Sequence, residues 1–280
     1  MAFRELRPED LDRAASWLVD GGFRADRWRD DHTRSAVASD AGRVIAAGMI
    51  WTSRVHGDRY WVRIIVEPDR RRQGHGRAML AHLSTLRPAE LPFMARGFFD
   101  SDEMAFADGL GAHTIQVVPP ARIATSSRTR LRALDSVVSA GGLTRATIEA
   151  ANAETYEWVH AAWSPVGPGF ESALNEDLWD ELDPQATSVA LDADGRILAM
   201  AMGYQDSSPP VVTAETVRID QEGGERLVEA CIRRTLDVYA ERGVDEVEFD
   251  GHVTDPHFMP IWARLQPAGE WFRLVEVPAS

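Results

Sequence analysis

Lysine is absent from this chain of 280 residues, and all 30 basic side chains are arginine. Cysteine is nearly absent too: Cys231 stands alone, which excludes a disulfide framework. The longest apolar run, Val44 to Trp51, is far short of the roughly 20 residues that span a bilayer. The opening Met1-Ala2-Phe3-Arg4-Glu5 is charged at once and has no apolar signal core. Apolar residues make up 44% of the chain, too many for a disordered protein. The expectation is a soluble, cytoplasmic protein with no membrane partner, long enough for two domains.

The charges are unevenly divided. Residues 1–135 hold 21 arginines and 18 acids, a net of +3; residues 136–280 hold 9 and 26, a net of −17, which together give the stated −14. Nucleic-acid binding needs a basic face, so an acidic chain of this kind is not expected to bind it. The asymmetry points instead to two halves with different electrostatic roles.

Two local patterns recur at nearly one offset. Gly42 through Met49 returns as Gly195 through Met202, 153 residues on, and Asp100 through Gly111 has a weaker echo in Asp255 through Gln266, at 155. Each copy of the first is a glycine turn leading into an apolar, β-prone run; each copy of the second reads as a short helix ending near a turn. A shared offset in two different elements indicates a duplicated domain. The seam is expected in 119–143, where Pro119-Pro120, Ser126-Ser127 and Gly141-Gly142 cluster. In the first half the pattern predicts a strand at 2–7, a helix from Pro8 to Val19 and a polar helical stretch to Ala38. Strands follow at 43–55 and 59–67, then a helix from Gly74 to Leu86, a strand at 92–98, a helix from Ser101 to Gly109 and a strand at 113–118. This order predicts α/β, or α+β, layering.

The segment Val66-Glu67-Pro68-Asp69-Arg70-Arg71-Arg72-Gln73-Gly74-His75-Gly76-Arg77 carries the chemistry. An apolar strand stops at a proline, a basic turn follows, and two glycines open a helix. Such a turn aims peptide N–H groups outward at a helix N-terminus, where they cradle an anion such as a pyrophosphate. The Gly-Lys-Ser/Thr of a Walker loop is missing, and Met79 breaks Gly-x-Gly-x-x-Gly. A solvated basic helix start has the same composition.

These residues resemble the GNAT acyltransferase superfamily, which carries Val-x-Pro-x-x-Arg and then x-x-Gly-x-Gly between its fourth strand and third helix. Val66, Pro68, Arg71, Gly74 and Gly76 stand at those positions, and the resemblance covers residues 2–118. It implies two tandem GNAT-like domains, each a mixed, mostly antiparallel sheet flanked by helices, at 1–125 and 144–280 with a linker at 126–143. It implies acetyl-CoA as co-substrate, with Arg71, Arg72, Gln73, Gly74, His75, Gly76 and Arg77 at the pyrophosphate and Ile64 and Val66 beside the pantetheine. The reaction implied is acetyl transfer to the primary amine of a small molecule. The second copy is degenerate: after Glu215 to Ile219 its turn is Asp220-Gln221-Glu222-Gly223, with no proline and no arginine run. Like charges from Asp220, Glu222 and Glu225 disfavour a pyrophosphate there. One CoA site, in the first domain, is expected.

The catalytic pattern departs from the family. A glutamate or histidine often stands eleven residues before the loop arginine; here Tyr60 does, a phenol suited to holding an acceptor or relay water, or to a structural role. The tyrosine often found four residues before the glycine that ends the short helix is replaced by Ala107, and by Trp262 in the second copy. Tyr156, His160 and Trp163 share one helical face and are candidates for an acceptor wall, with His160 as a candidate catalytic group; plain core fits the same spacing. His56 is a weaker candidate base. The histidines show no metal-ligand spacing, so no metal is expected, and Cys231 reads as a buried, inert thiol. Two other readings remain open: a CoA-binding sensor or scaffold without chemistry, and a thiol-cofactor acetyltransferase resembling mycothiol synthase.

Overall fold

The structure, a computed structural model, describes residues 1–12 and 15–278. The chain runs β1 (Ala2–Glu5), α1 (Pro8–Asp12), α2 (Ser16–Val19), β2 (Arg34–Asp40), β3 (Arg43–Thr52), β4 (Tyr60–Val66), α3 (His75–Thr85), β5 (Phe93–Phe98), α4 (Asp102–Asp108), β6 (His113–Val118) and β7 (Arg122–Ala124). It continues through β8 (Val137–Ser139), α5 (Arg145–His160), α6 (Phe170–Leu174), α7 (Leu178–Glu181), β9 (Ser188–Leu191), β10 (Ile197–Gly203), β11 (Val211–Thr216), α8 (Gly224–Glu241), β12 (Glu246–Phe249), α9 (Met259–Leu265) and β13 (Phe272–Val277). One sheet has the order β1-β2-β3-β4-β5-β13-β6 and the other β7-β12-β11-β10-β9-β8.

The chain forms two compact units that are discontinuous in sequence. The first holds residues 1–96, 105–113 and those from Val275 onward; the second holds 97–104 and 114–274. The expected boundaries followed chain order and did not foresee the return of the last residues to the first unit. The expected linker is also folded: 126–143 contains a 3-10 turn at Thr125–Arg130 and β8, which pairs with β9. Its prolines, serines and glycines punctuate short elements and do not make a tether.

The duplication is visible in the pairing. β2–β3 and β3–β4 are antiparallel and β4–β5 parallel; β9–β10 and β10–β11 are antiparallel and β11–β12 parallel. The repeated Gly42 and Gly195 patterns are the turns into β3 and β10, with both glycines at positive φ (80° and 79°). The polar helix expected to reach Ala38 is instead a turn region followed by β2. Ser35, Ala36, Val37 and Ala38 are all buried, on both faces of the sheet, so the strand lacks the alternation that would betray it. The expected helix from Pro8 to Val19 is described as α1 and α2, with Arg13 and Ala14 outside the described residues.

In the first unit Leu6, Leu18, Phe23, Val37, Ala47 and Met49 form a core on one face of the sheet. On the other, α3 lies so close to β3 that a Cβ on Gly48 would stand 2.7 Å from Leu83 and Met79. The second unit packs α8 on one face of its sheet, through Val228, Cys231 and Ile232 against Ala199, Val212 and Ala214. Ile148 and Ala151 of α5 cover Met200, Met202 and Val217 in a separate cluster. Gly251 is a sensitive point of this unit, because a Cβ there would lie 2.3 Å from the buried Phe258 ring. Gly251→Ala is expected to cost about 1–3 kcal/mol by overpacking. Thermal unfolding would register this as a fall of roughly 2–4 °C per kcal/mol.

Candidate functional site

The site grows out of the end of β4. Glu67 is buried, pairs with Arg43, and accepts the Arg70 N–H at 2.8 Å, while the Arg71 N–H reaches the Pro68 carbonyl at 3.3 Å. Pro68 opens this 3-10 turn, its ring presetting φ where no N–H is needed. Beyond it Arg72 (φ 60°) and Gly74 (φ 84°) are both left-handed and swing the chain into α3. The peptide N–H groups of the first turn of α3 have no intrahelical acceptor and lie at the positive end of its dipole. Successive peptides turned this way form an anion-binding concavity.

The side chains divide between shaping the loop and facing solvent. Arg71 Nε donates to the Val66 carbonyl at 3.3 Å, and Gln73 Nε2 to the Asp69 carbonyl at 3.3 Å. Arg77 donates to the Gly109 carbonyl at 3.0 Å, so it ties α3 to the end of α4. Arg72 is exposed. His75 Nε2 is buried without a hydrogen-bond partner among the described residues. The two glycines act differently. Gly74 has open space around it and is needed for its dihedral, whereas a Cβ on Gly76 would meet the Phe106 ring at 3.2 Å.

Beside the loop the sheet opens. β4 and β5 pair only at Tyr60 with Phe93 and Trp61 with Met94. The N–H of Glu67 points to β3 and that of Tyr60 to Pro92, so by alternation the peptide groups of Val62, Ile64 and Val66 point away from β3. The Val62 N–H closes the last rung against Met94, and beyond it the peptide group of Ile64 faces a wedge that β5 does not fill. An extended polar chain laid there would complete the ladder as a short strand does. Ile64 and Val66, expected beside the pantetheine, line this opening.

The equivalent place in the second unit is closed. β11 and β12 part after Val212 and Phe249, but the Thr216 carbonyl accepts the Trp158 indole N–H at 3.0 Å and the Thr155 hydroxyl at 3.5 Å. The His257 ring is 2.7 Å from where a Cβ of Gly224 would stand, at the start of α8. Asp220 is paired with Arg218 at 3.0 Å. The strand ends at Thr216, earlier than expected.

The other candidate groups are engaged in packing. Tyr60 is 0% exposed and its hydroxyl accepts the Ala89 N–H at 3.2 Å; it fastens a loop and has no surface for an acceptor. Ala107 is buried. Tyr156 and His160 stack at 3.8 Å, and Trp163 and His252 adjoin them at 4.8 and 5.6 Å from His160. His160 is 8% exposed and its Nδ1 is 2.9 Å from the Tyr156 carbonyl. The Trp163 indole donates to the Val159 carbonyl at 3.0 Å. The three residues thus meet as expected, but His160 and Trp163 are core, and the catalytic role expected of His160 finds no support in its burial. His56 is buried, and burial pushes the Cys231 thiol up, away from reactivity. Burial, then Asp255 and Asp250, hold the Glu215 carboxyl well above the usual carboxylate range, and no sequence pattern singled this residue out.

No helix among the described residues is long and apolar enough to cross a membrane, and no three His, Cys, Asp or Glu among them are grouped to hold a metal ion. The acetyltransferase (GNAT) family model matches residues 2–86. No curated protein matches the chain. Among solved structures, a GCN5-related N-acetyltransferase from Sphaerobacter thermophilus is similar at 17% identity and TM-score 0.66, with 99% of this chain and 95% of that one covered. A tandem GNAT protein from the clavulanic acid biosynthesis pathway is similar at 17% identity and TM-score 0.59, covering 100% and 99%. A glucosamine N-acetyltransferase region of a fungal multi-domain GH3 β-N-acetylglucosaminidase is similar at 13% identity and TM-score 0.64, covering 98% of this chain and 38% of that one. Residues 2–86, which hold the loop, thus match the model of the acetyltransferase (GNAT) family, which uses acetyl-CoA as co-substrate, and the chain as a whole has the fold of tandem GNAT proteins.

Proposed function

We propose that the protein is an N-acetyltransferase that binds one acetyl-CoA, in its first unit, and transfers the acetyl group to the primary amine of a small molecule. The left-handed turn at Arg72 and Gly74 into α3, beside the open β4/β5 wedge, carries this reading. The loop suits a pyrophosphate and the wedge an amide-bearing arm. In the reaction the neutral amine attacks the thioester carbonyl, the C–N bond forms, the C–S bond breaks, and the amine proton leaves with the thiolate or to water. Tyr60 is sealed in and Ala107 has no proton to give, so the rate is assigned mainly to alignment of the two reactants, which supplies up to about 7–11 kcal/mol. A panel of primary amines assayed with acetyl-CoA, following release of the CoA thiol, tests the reading. Turnover on at least one amine, with an amide product by mass, is expected.

The acceptor is proposed to be cationic before it is deprotonated for attack, because residues 136–280 carry a net charge of −17 and a field of that sign gathers cations. The kcat/KM for such an acceptor is expected to fall about tenfold from low to physiological ionic strength. A flat profile would discard the steering and leave acetyl transfer standing. A second reading, a CoA-binding sensor, draws on the same Tyr60 and Ala107; acetyl-CoA binding without turnover on any amine would favour it.

A further inference from the structure

The first unit carries a row of side chains on the sheet face turned away from α3. Gly48 faces α3, so Met49 and Trp51 of β3 point to the opposite face, where Trp51 packs against a core that includes Met49, Leu18 and Phe23. Trp61 of β4 stands across from Trp51. Their rings run parallel within 13°, with centroids 6.2 Å apart, an offset spacing that leaves part of each face uncovered. Trp61 also pairs with Met94, at the rung beyond which the wedge opens. Two residues further along β5, Arg96 lays its guanidinium over the Trp61 ring at 5.6 Å, within the range of cation–π attraction. Trp51, Trp61 and Arg96 thus form one row at the root of the wedge.

The donors in this row lack acceptors. Both indoles are half-buried, yet neither N–H makes a hydrogen bond among the described residues, and neither nitrogen is closed off from solvent. Arg96 is exposed and makes no hydrogen bond or ion pair among the described residues. Two more arginines border the row. Arg63, two residues on from Trp61, gives its Nη1 to the Gly21 carbonyl at 2.8 Å. Arg29, stacked on Trp28 at 4.6 Å, gives its Nη1 to the Thr52 carbonyl at 3.3 Å. The segment from Gly21 to Arg29 is thereby fastened to the sheet beside both indoles. Arg29 and Arg63 make no ion pair among the described residues either, whereas Arg43 and Arg59, at the ends of the same strands, pair with Glu67 and with Asp58 and Glu276. Three guanidinium groups without an acid, and two indole N–H groups beside them, suit an anion. The indole surface suits a flat apolar body.

We propose that the first unit binds a primary amine built on an aromatic ring that also carries a carboxylate. The ring lies on Trp51 and Trp61, and the carboxylate meets the guanidinium of Arg96. That guanidinium is a planar fork matched to a carboxylate, and Trp61 holds it in place beforehand, which lowers the cost of ordering it. The nucleotide of acetyl-CoA does not compete for this place, because the loop suited to its pyrophosphate opens α3, on the other face of the sheet. The inference rests on the proposed acetyl transfer for the amine alone: a ligand at the root of the wedge meets the end of an arm laid along β4. The ligand keeps the ammonium proposed above and adds an acid at its other end.

Calorimetry on the full chain, without acetyl-CoA, titrates para-(aminomethyl)benzoate, benzylamine and the cyclohexane analogue of the benzoate in turn. The benzoate is expected to bind at least about tenfold more tightly than benzylamine, which lacks the acid, and than the analogue, which lacks the aromatic ring. Arg96→Gln is expected to remove the advantage over benzylamine, and Arg96→Lys to restore it only in part. Trp61→Leu is expected to remove the advantage over the analogue, and Trp61→Phe to keep some of it; circular dichroism checks each fold. Arg7→Gln, at an exposed arginine of the same unit, is expected to change nothing. Equal affinity for all the ligands in the wild type would overturn the proposal, as would equal weakening by Arg7→Gln, the mark of a general surface charge. Displacement of the benzoate by adenosine monophosphate would overturn it too, by showing that the indoles hold a nucleotide. Adding acetyl-CoA separates this inference from the reaction. Turnover of alkylamines with no preference for ring and acid would sink the inference and leave acetyl transfer standing. Preferential binding of the benzoate with no amine turned over would sink acetyl transfer and leave the binding site standing.

Discussion

A Gly74→Val, Gly76→Val double variant is expected to lose acetyl-CoA affinity by about 100-fold or more while remaining folded. Gly74 sits at φ 84°, a region that costs a β-branched residue roughly 1–3 kcal/mol. Valine would relieve this by moving out of the left-handed region, turning the loop peptides away from the anion. Gly76 contributes through packing: its new side chain would press on the Phe106 ring, 3.2 Å from the Cβ position, and shift the first turn of α3. A loss of about 2.7 kcal/mol is 100-fold, and the two effects together reach it. Because Phe106 is half exposed and free to yield, Gly76→Ala alone is expected to be mild and Gly74→Val alone severe. Calorimetry, with circular dichroism as the check on folding, measures all three. Unchanged affinity in the folded double variant would remove the loop from the site.

Titration of the wild type should give one acetyl-CoA per chain, abolished by Arg71→Glu and untouched by Arg226→Glu. Reversing a charge about 5 Å from a pyrophosphate, at an effective dielectric near 20, changes the interaction by several kcal/mol per phosphate charge before screening. A loss of about 100-fold at Arg71 is the expected remainder. Arg226 lies in the first turn of α8, where the Thr216 carbonyl is already taken by Trp158 and the His257 ring covers Gly224. A stoichiometry of two would overturn the reading of the second unit as closed to CoA.

The loop and both β-turn repeats were legible in the sequence because glycine, proline and arginine act locally. Gly42, Gly74 and Gly195 take their left-handed conformations wherever the chain goes afterwards. What was hidden depends on burial. β2 has the composition of a polar helix and becomes a strand only because β1 and β3 enclose it. Tyr60 occupies a family position for a base, yet its hydroxyl is spent on Ala89. The closure of the second wedge rests on Trp158, 58 residues from the carbonyl it caps, and no local pattern announces such a contact. In the sequence the expectation that this unit holds no CoA rests on the charges of Asp220 and Glu222; the Trp158 bond to Thr216 and the His257 ring over Gly224 have no local signature.

The placement of β13 fixes an order of assembly during synthesis. Residues from Val275 onward belong to the first unit, and β13 lies between β5 and β6 in its sheet. A ribosome therefore releases β1 to β6, and then residues 119–271, before the strand that completes the first sheet emerges. Until that moment β5 and β6 expose unpaired edges, which are sticky toward other nascent chains. At roughly 5–20 residues per second, the wait between β6 and β13 lasts on the order of ten seconds or more. Expression of the first half by itself should accordingly yield aggregates, and the half should become soluble when a peptide of the β13 sequence is supplied.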